Sequence, residues 1–192
     1  MSNVANKFGL AFIEHFVTEE EREHLIELID DRAEYLPTPS DLVWPNPPRR
    51  CDLSRLGDQT IFEIECRISR ALGVPRQFGE GLQGQIYGTG ENYHPHFDAF
   101  HMGSPSYDRE MPRAGQRPYS VLIYLEVPRA GGVTTFPRLG VMIQPSADLA
   151  VFWSNLGGDH QPHPLALHGG MPVLDGRKVI VSSWYRERTY ER

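Results

Sequence analysis

Apolar positions keep a helical period early in the chain and an alternating one later. Leu25, Ile26, Leu28 and Ile29 recur at helical spacing and predict a helix over 19–32. Thr18, with Glu21 three residues on, supplies a capping-box start. Glu19, Glu20 and Glu21 stand where the helix dipole favours anions, which reads as a solvated helix start rather than a catalytic cluster. Ile61, Ile64, Ile68 and Leu72 repeat the pattern over 59–72, and Gly73 and Pro75 close it. The runs 8–13 and 49–56 read as short strands. Between the helices, 37–48 holds five prolines and reads as loop, with Trp44 packed in it rather than serving as a lid.

From residue 82 onward strand signals take over. The segments 83–87, 93–99, 119–127, 133–136, 141–144, 149–153, 164–168 and 179–186 form eight candidates, with Gly131-Gly132 and Gly157-Gly158 marking turns. Eight short strands without intervening helices predict a sandwich or jelly roll. The preceding helices then pack outside a sheet, giving a mainly β, α+β class. Residues 100–116 interrupt the pattern as a long polar stretch, expected to border the active site and to move when substrate binds.

Composition narrows the partners. A chain of 192 residues suits one domain with a sizeable core. Its formal charge of -6 argues against a broad basic face for nucleic acid. Cys51 and Cys66 are the only cysteines; they supply no disulfide framework and no zinc spacing, and are expected as reduced thiols. No basic-then-apolar leader and no membrane-length apolar run occurs, so the expected location is cytoplasmic.

Candidate chemistry centres on His96-Phe97-Asp98. Side chains alternate along a strand, so residues two apart face the same way and can share a metal ion. Imidazole and carboxylate are two-thirds of the 2-His-1-carboxylate set. Spacing alone leaves His94, His96 and Asp98 equivalent, and His94-Pro95-His96 also fits the His-x-His pair of a cupin metal site. The second histidine comes from elsewhere: His168, ten positions before Lys178, with His160 and His163 as rivals in a loop-like segment. A lysine at the base of a pocket can pair with the remote carboxylate of a dicarboxylate ligand.

Three motif blocks, in order over 82–186, carry a resemblance. They are Tyr87-x5-Tyr93-x2-His96-x-Asp98, Gly131-Gly132-Val133-Thr134-Thr135-Phe136-Pro137, and His168-Gly-Gly-Met-Pro-Val-Leu-Asp-Gly-Arg-Lys178 with Trp184. Together they resemble the catalytic domain of the prolyl 4-hydroxylases, Fe(II)- and 2-oxoglutarate-dependent dioxygenases. The resemblance implies a double-stranded β-helix (jelly roll, cupin-like) in one domain over 1–192, with 1–80 as helical support and 81–188 as catalytic core. It makes His96, Asp98 and His168 the iron ligands and Lys178 the partner of the 2-oxoglutarate C5 carboxylate, with Tyr87 and Thr134 adding hydroxyl hydrogen bonds. It places Tyr93, Arg117 and Trp184 at the substrate groove, with O2 as co-substrate, and leaves the need for ascorbate undecided.

Three positions depart from the family pattern. Val133 replaces a glutamate, Met171 a cysteine, and Trp184-Tyr185-Arg186 stands where Trp-x-His is usual. Arg186 is therefore expected near the substrate groove. Asp98 retains the carboxylate ligand that a halogenase lacks. The expected activity is hydroxylation of a prolyl residue in a peptide or protein. The alternative is a free amino acid or small natural-product precursor whose carboxylate Arg186 would hold. A non-catalytic cupin-like metal-binding module using His94 and His96 is the third reading. Neither nucleic acid nor membrane is an expected partner, and oligomeric state is not readable.

Overall fold

The two helices form where the apolar period places them. In the computed structural model, which describes residues 8–35 and 47–192, α1 spans Glu19–Arg32 and α2 spans Gln59–Leu72. Thr18 and Glu21 close the reciprocal capping box on α1. On α2 the Asp58 carboxylate accepts from the Ile61 N–H at 3.0 Å, and Gly73 ends the helix in the left-handed conformation at φ 69°. The proline-rich stretch with Trp44 lies largely outside the described residues.

Twelve strands are present among the described residues: β1 Ala11–Ile13, β2 Arg49–Asp52, β3 Gln83–Tyr87, β4 Tyr93–His96, β5 Tyr119–Glu126, β6 Ala130–Gly131, β7 Thr134–Phe136, β8 Val141–Ile143, β9 Ala150–Ser154, β10 His168–Gly170, β11 Val173–Asp175 and β12 Lys178–Tyr185. A six-stranded sheet runs in the order β1-β9-β5-β12-β3-β2, a four-stranded sheet in the order β4-β10-β7-β8, and β11 pairs with β6. Every pairing between these strands is antiparallel. This is a jelly roll of two facing sheets.

Strand parity divides the interior in two. Val121, Ile123 and Leu125 of β5, with Val179 and Val181 of β12 and Ile86 of β3, face outward and bury Leu25, Ile29, Ile61, Ile64 and Ile68 of the helices. Their neighbours Leu122, Tyr124, Ile180 and Tyr87 face inward and meet Phe136 and Ile143 of the small sheet. The helices thus back the large sheet and leave its inner face to the site. Among the described residues no helix is long and apolar enough to cross a membrane.

The structure corrects four expectations. Residues 164–168 are not one strand: Pro164–Ala166 forms a 3-10 turn, and β10 starts at His168. The strand expected over 93–99 ends at His96, so Asp98 lies in the bend beyond it. Strands β6 and β11 were not anticipated; both are very short. The irregular stretch 100–116 contains a third helix, α3, at Pro105–Ala114. Ser104 caps it by accepting from the Tyr107 N–H at 3.2 Å, and Pro105 takes the first position, where its missing N–H costs nothing.

Candidate metal and 2-oxoglutarate site

The antiparallel pairing of β4 with β10 sets His96 opposite His168, with ring centroids 4.4 Å apart. That pairing depends on Gly169, where a β-carbon would stand 2.8 Å from the Tyr93 carbonyl oxygen and 3.0 Å from Pro95 N. The bend after β4 swings Asp98 beneath both rings. Its Oδ1 is 3.4 Å from His96 Nε2 and its Oδ2 is 3.6 Å from His168 Nε2. One ligand atom from each of the three residues lies within 4.8 Å of the other two, the only such group among the described residues.

The partners that fix the rings are now identifiable. His96 Nδ1 lies 2.9 Å from the His94 carbonyl oxygen, and His168 Nδ1 lies 2.9 Å from that of Ala166. A carbonyl only accepts, so each Nδ1 carries a proton, which makes Nε2, facing Asp98, the atom each ring can offer to a metal. Burial pushes His168 down to about 4, against the pull of Asp98, and keeps it the neutral imidazole that a metal requires. For Asp98, burial acts to raise the carboxyl pKa. His168, His96 and the Ser120 hydroxyl outweigh it and hold the group ionised, well below the usual carboxylate range. Two imidazoles and a carboxylate on one side of a cavity, with the other side open, fit a 2-His-1-carboxylate Fe(II) centre.

The same cleft reaches Lys178, Thr134 and Tyr87 at its inner end and Trp184 and Tyr93 along its walls. Lys178 is 1% exposed. Its ammonium donates to the Gly132 carbonyl at 3.0 Å and lies 4.1 Å from the centre of the Tyr87 ring. No carboxylate pairs with it among the described residues, and burial pushes its pKa down to about 8. A buried cation without a counter-ion, in a pocket shared with a metal triad, is a site prepared for a carboxylate. Thr134 Oγ1 shares a 2.6 Å hydrogen bond with the Tyr124 hydroxyl. The Tyr87 hydroxyl donates to Gln85 Oε1 at 2.6 Å, and Gln85 Nε2 donates to Ser182 Oγ at 2.9 Å.

The outer residues divide. Tyr93 packs on His96 with centroids 4.6 Å apart and hydrogen-bonds with Arg50. Trp184 lines the cleft. Arg117 sits behind that wall: its guanidinium grips both oxygens of Glu80 at 2.6 Å, donates to the Asp98 carbonyl at 3.3 Å and covers the Trp184 ring at 4.7 Å. Arg186, expected near the groove, is instead buried and turned toward α3. It donates to Glu80, to the Glu110 carboxylate and carbonyl, and twice to the Gly115 carbonyl. Five N–H groups meet five acceptor contacts, which leaves none for a substrate carboxylate.

The rival histidines fall outside the cleft. His94 lines a separate groove with Pro95, Met171 and Pro172, His160 is exposed beside Glu187, and His163 caps the turn before β10. Sequence reading did not single out Gln85, Ser120, Tyr124, Asn155 or Ser182. Parity with Tyr87 and Trp184 marks Gln85 and Ser182 as inward positions, but nothing local marks Ser120 or Asn155.

A profile of the 2OG-Fe(II) oxygenase superfamily matches residues 82–186. The chain is 32% identical to probable prolyl 4-hydroxylase 10 of Arabidopsis thaliana over an alignment of 203 residues, covering 92% of this chain and 68% of that protein. It is 35% identical over 139 residues to prolyl 4-hydroxylase subunit alpha-1 of Rattus norvegicus, covering 72% of this chain but 26% of that subunit. The chain therefore spans about a quarter of that relative's length. Among solved structures, the viral collagen prolyl hydroxylase of Paramecium Bursaria Chlorella virus-1, in complex with 2OG, superposes with a TM-score of 0.75 at 22% identity, over 96% of this chain and 98% of that one. A Trichoplax adhaerens prolyl hydroxylase in complex with a hypoxia inducible factor peptide superposes with a TM-score of 0.66 at 14% identity, over 96% and 86%. These superpositions show a shared double-stranded β-helix fold.

Proposed function

The chain belongs to the 2OG-Fe(II) oxygenase superfamily, and we propose that it is an Fe(II)- and 2-oxoglutarate-dependent hydroxylase acting on a prolyl residue of a peptide or protein. Residues 81–188 form its catalytic core and the preceding helices support it. The observation that carries this reading is the His96, Asp98 and His168 triad opening into the same cleft as the Lys178 cation, which has no carboxylate partner among the described residues. Likeness to relatives named as prolyl hydroxylases supports the prolyl substrate, one of them in complex with a peptide.

When bound, Fe(II) and 2-oxoglutarate would supply the oxidising chemistry: 2-oxoglutarate, O2 and a substrate C–H give succinate, carbon dioxide and the substrate C–OH. The protein's part is positioning and exclusion. His96 and His168 offer Nε2, and Asp98 offers a carboxylate oxygen. Lys178 receives the far carboxylate of the co-substrate, with the Thr134 and Tyr87 hydroxyls beside it, and this sets which end of 2-oxoglutarate faces the metal. Phe136 and Trp153 pack against His168 with centroids 5.5 and 4.8 Å away and keep water from its inner side. A proline ring has few polar handles, so Tyr93 and Trp184 hold it by contact area. Arg117 steadies Trp184 from behind.

The free-amino-acid reading loses its anchor because every Arg186 N–H is taken. A cytoplasmic setting is part of the proposal, supported by Cys51 and Cys66 both being free thiols. Incubating the Fe(II)-loaded protein with 2-oxoglutarate and either proline-rich peptides or free proline tests the assignment. A mass gain of one oxygen atom on peptide only is the expected outcome. Oxygen on free proline only would overturn it.

A further inference from the structure

Asp98 has two carboxylate oxygens, and the interior treats them differently. Oδ2 accepts from the Ser120 hydroxyl at 2.6 Å and stands 3.6 Å from His168 Nε2; Oδ1 accepts from no hydroxyl among the described residues and stands 3.4 Å from His96 Nε2. Ser120 is 1% exposed, at an inward position of β5, where it pairs with Trp153 of β9 and Trp184 of β12. Its oxygen in turn accepts from Asn155 Nδ2 at 2.7 Å.

Chemistry fixes the direction of this chain. An ionised carboxylate only accepts, so the single Ser120 proton points to Asp98. The Ser120 lone pair then needs a donor, so Asn155 must present its NH2 end. Asn155 cannot swing away: its N–H donates to the Pro118 carbonyl at 2.8 Å and its carbonyl accepts from the His163 N–H at 2.8 Å. Its side chain is 0% exposed, and its Oδ1 finds no partner among the described residues. An orphaned amide oxygen in the interior is costly. The arrangement sacrifices that oxygen to keep the nitrogen on Ser120.

We propose that Asn155 and Ser120 are positioning residues that make Asp98 a one-oxygen ligand, with Ser120 holding Oδ2 and Oδ1 turned to the metal. This rests on the metal-site reading above but adds residues that touch neither metal nor co-substrate. Without the relay the carboxylate is free to rotate and to offer both oxygens, occupying a position that 2-oxoglutarate or O2 needs.

The test uses Co(II) as a visible probe and Fe(II) with 2-oxoglutarate as a second, on wild type, Ser120→Ala, Asn155→Asp and the conservative Ser120→Thr. Circular dichroism and melting temperature establish which variants are folded. Ser120→Ala and Asn155→Asp are expected to weaken Co(II) binding by about 10–100-fold. They are also expected to change the intensity of its visible bands, and Ser120→Thr to restore both. Folded variants that all keep the wild-type Co(II) affinity and spectrum would overturn the relay and leave the metal site standing. Wild type that binds neither metal would overturn the site itself. Should Ser120→Ala fail to fold, Asn155→Asp against Ser120→Thr decides, since both retain a polar side chain of similar size.

Discussion

Lys178 carries two predictions because it is buried and has no carboxylate partner among the described residues. Its charged form is penalised by burial, which is what lowers its pKa to about 8. A carboxylate binds the protonated form, so 2-oxoglutarate affinity is flat below about pH 8 and falls by about tenfold per pH unit above it. The sign reverses for the ligand-free fold: the unfolded lysine holds its proton to about pH 10.4, so stability rises between pH 8 and that value. Binding isotherms and melting temperatures across pH 7–10 check both. Lys178→Ala removes a charge-assisted hydrogen bond of about 1.5–3 kcal/mol and should weaken 2-oxoglutarate by about 10–150-fold. Sequence motifs found Lys178, His96 and His168, because each sits on a strand whose register its neighbours fix. They did not reveal what holds those residues. Ser120, Asn155 and Tyr124 reach the site through contacts 10–35 residues apart in sequence.

α3 shows where pattern reading stops at the level of elements. Gly103-Ser104-Pro105 looks like a turn, yet Ser then Pro is also a helix start, and the choice is made by contacts from elsewhere. Arg186 ties Glu110 and Gly115 to the end of β12, and Gln116 bridges the Phe100 backbone, accepting from its N–H at 2.9 Å and donating to its carbonyl at 2.6 Å. Those ties dock 105–114 on the end of β12 and predict an element that stays in place rather than a moving loop. Arg186→Ala leaves buried carboxylates short of a cation and should cost about 3 kcal/mol or more, with faster hydrogen exchange across 105–114. In wild type, exchange there should not change when substrate is added; a substrate-dependent drop would restore the moving-loop reading. The helices α1 and α2, by contrast, were readable to their ends, because their caps are local.

For the whole molecule, the division of labour follows from alternation along β3, β5 and β12. One face of the large sheet packs the helices and the other builds the cleft, so stability and chemistry can be altered separately. Ile64→Ala, in the helix-facing core, should destabilise by about 2–5 kcal/mol in denaturant titrations and leave Co(II) affinity unchanged. The jelly-roll class was readable from eight strand signals. The pairing order was not, since β6 and β11 are too short to show a pattern and β10 begins only after a 3-10 turn. The central claim is that one cleft holds both a metal triad and a carboxylate anchor. It is tested most directly by anaerobic titration of the Fe(II)-loaded protein with 2-oxoglutarate, following the visible metal-to-ligand charge-transfer band in wild type and Lys178→Ala. A band that forms in wild type and needs far more 2-oxoglutarate in the variant is the predicted result. No band in wild type, or the same titration curve in both, would contradict the account.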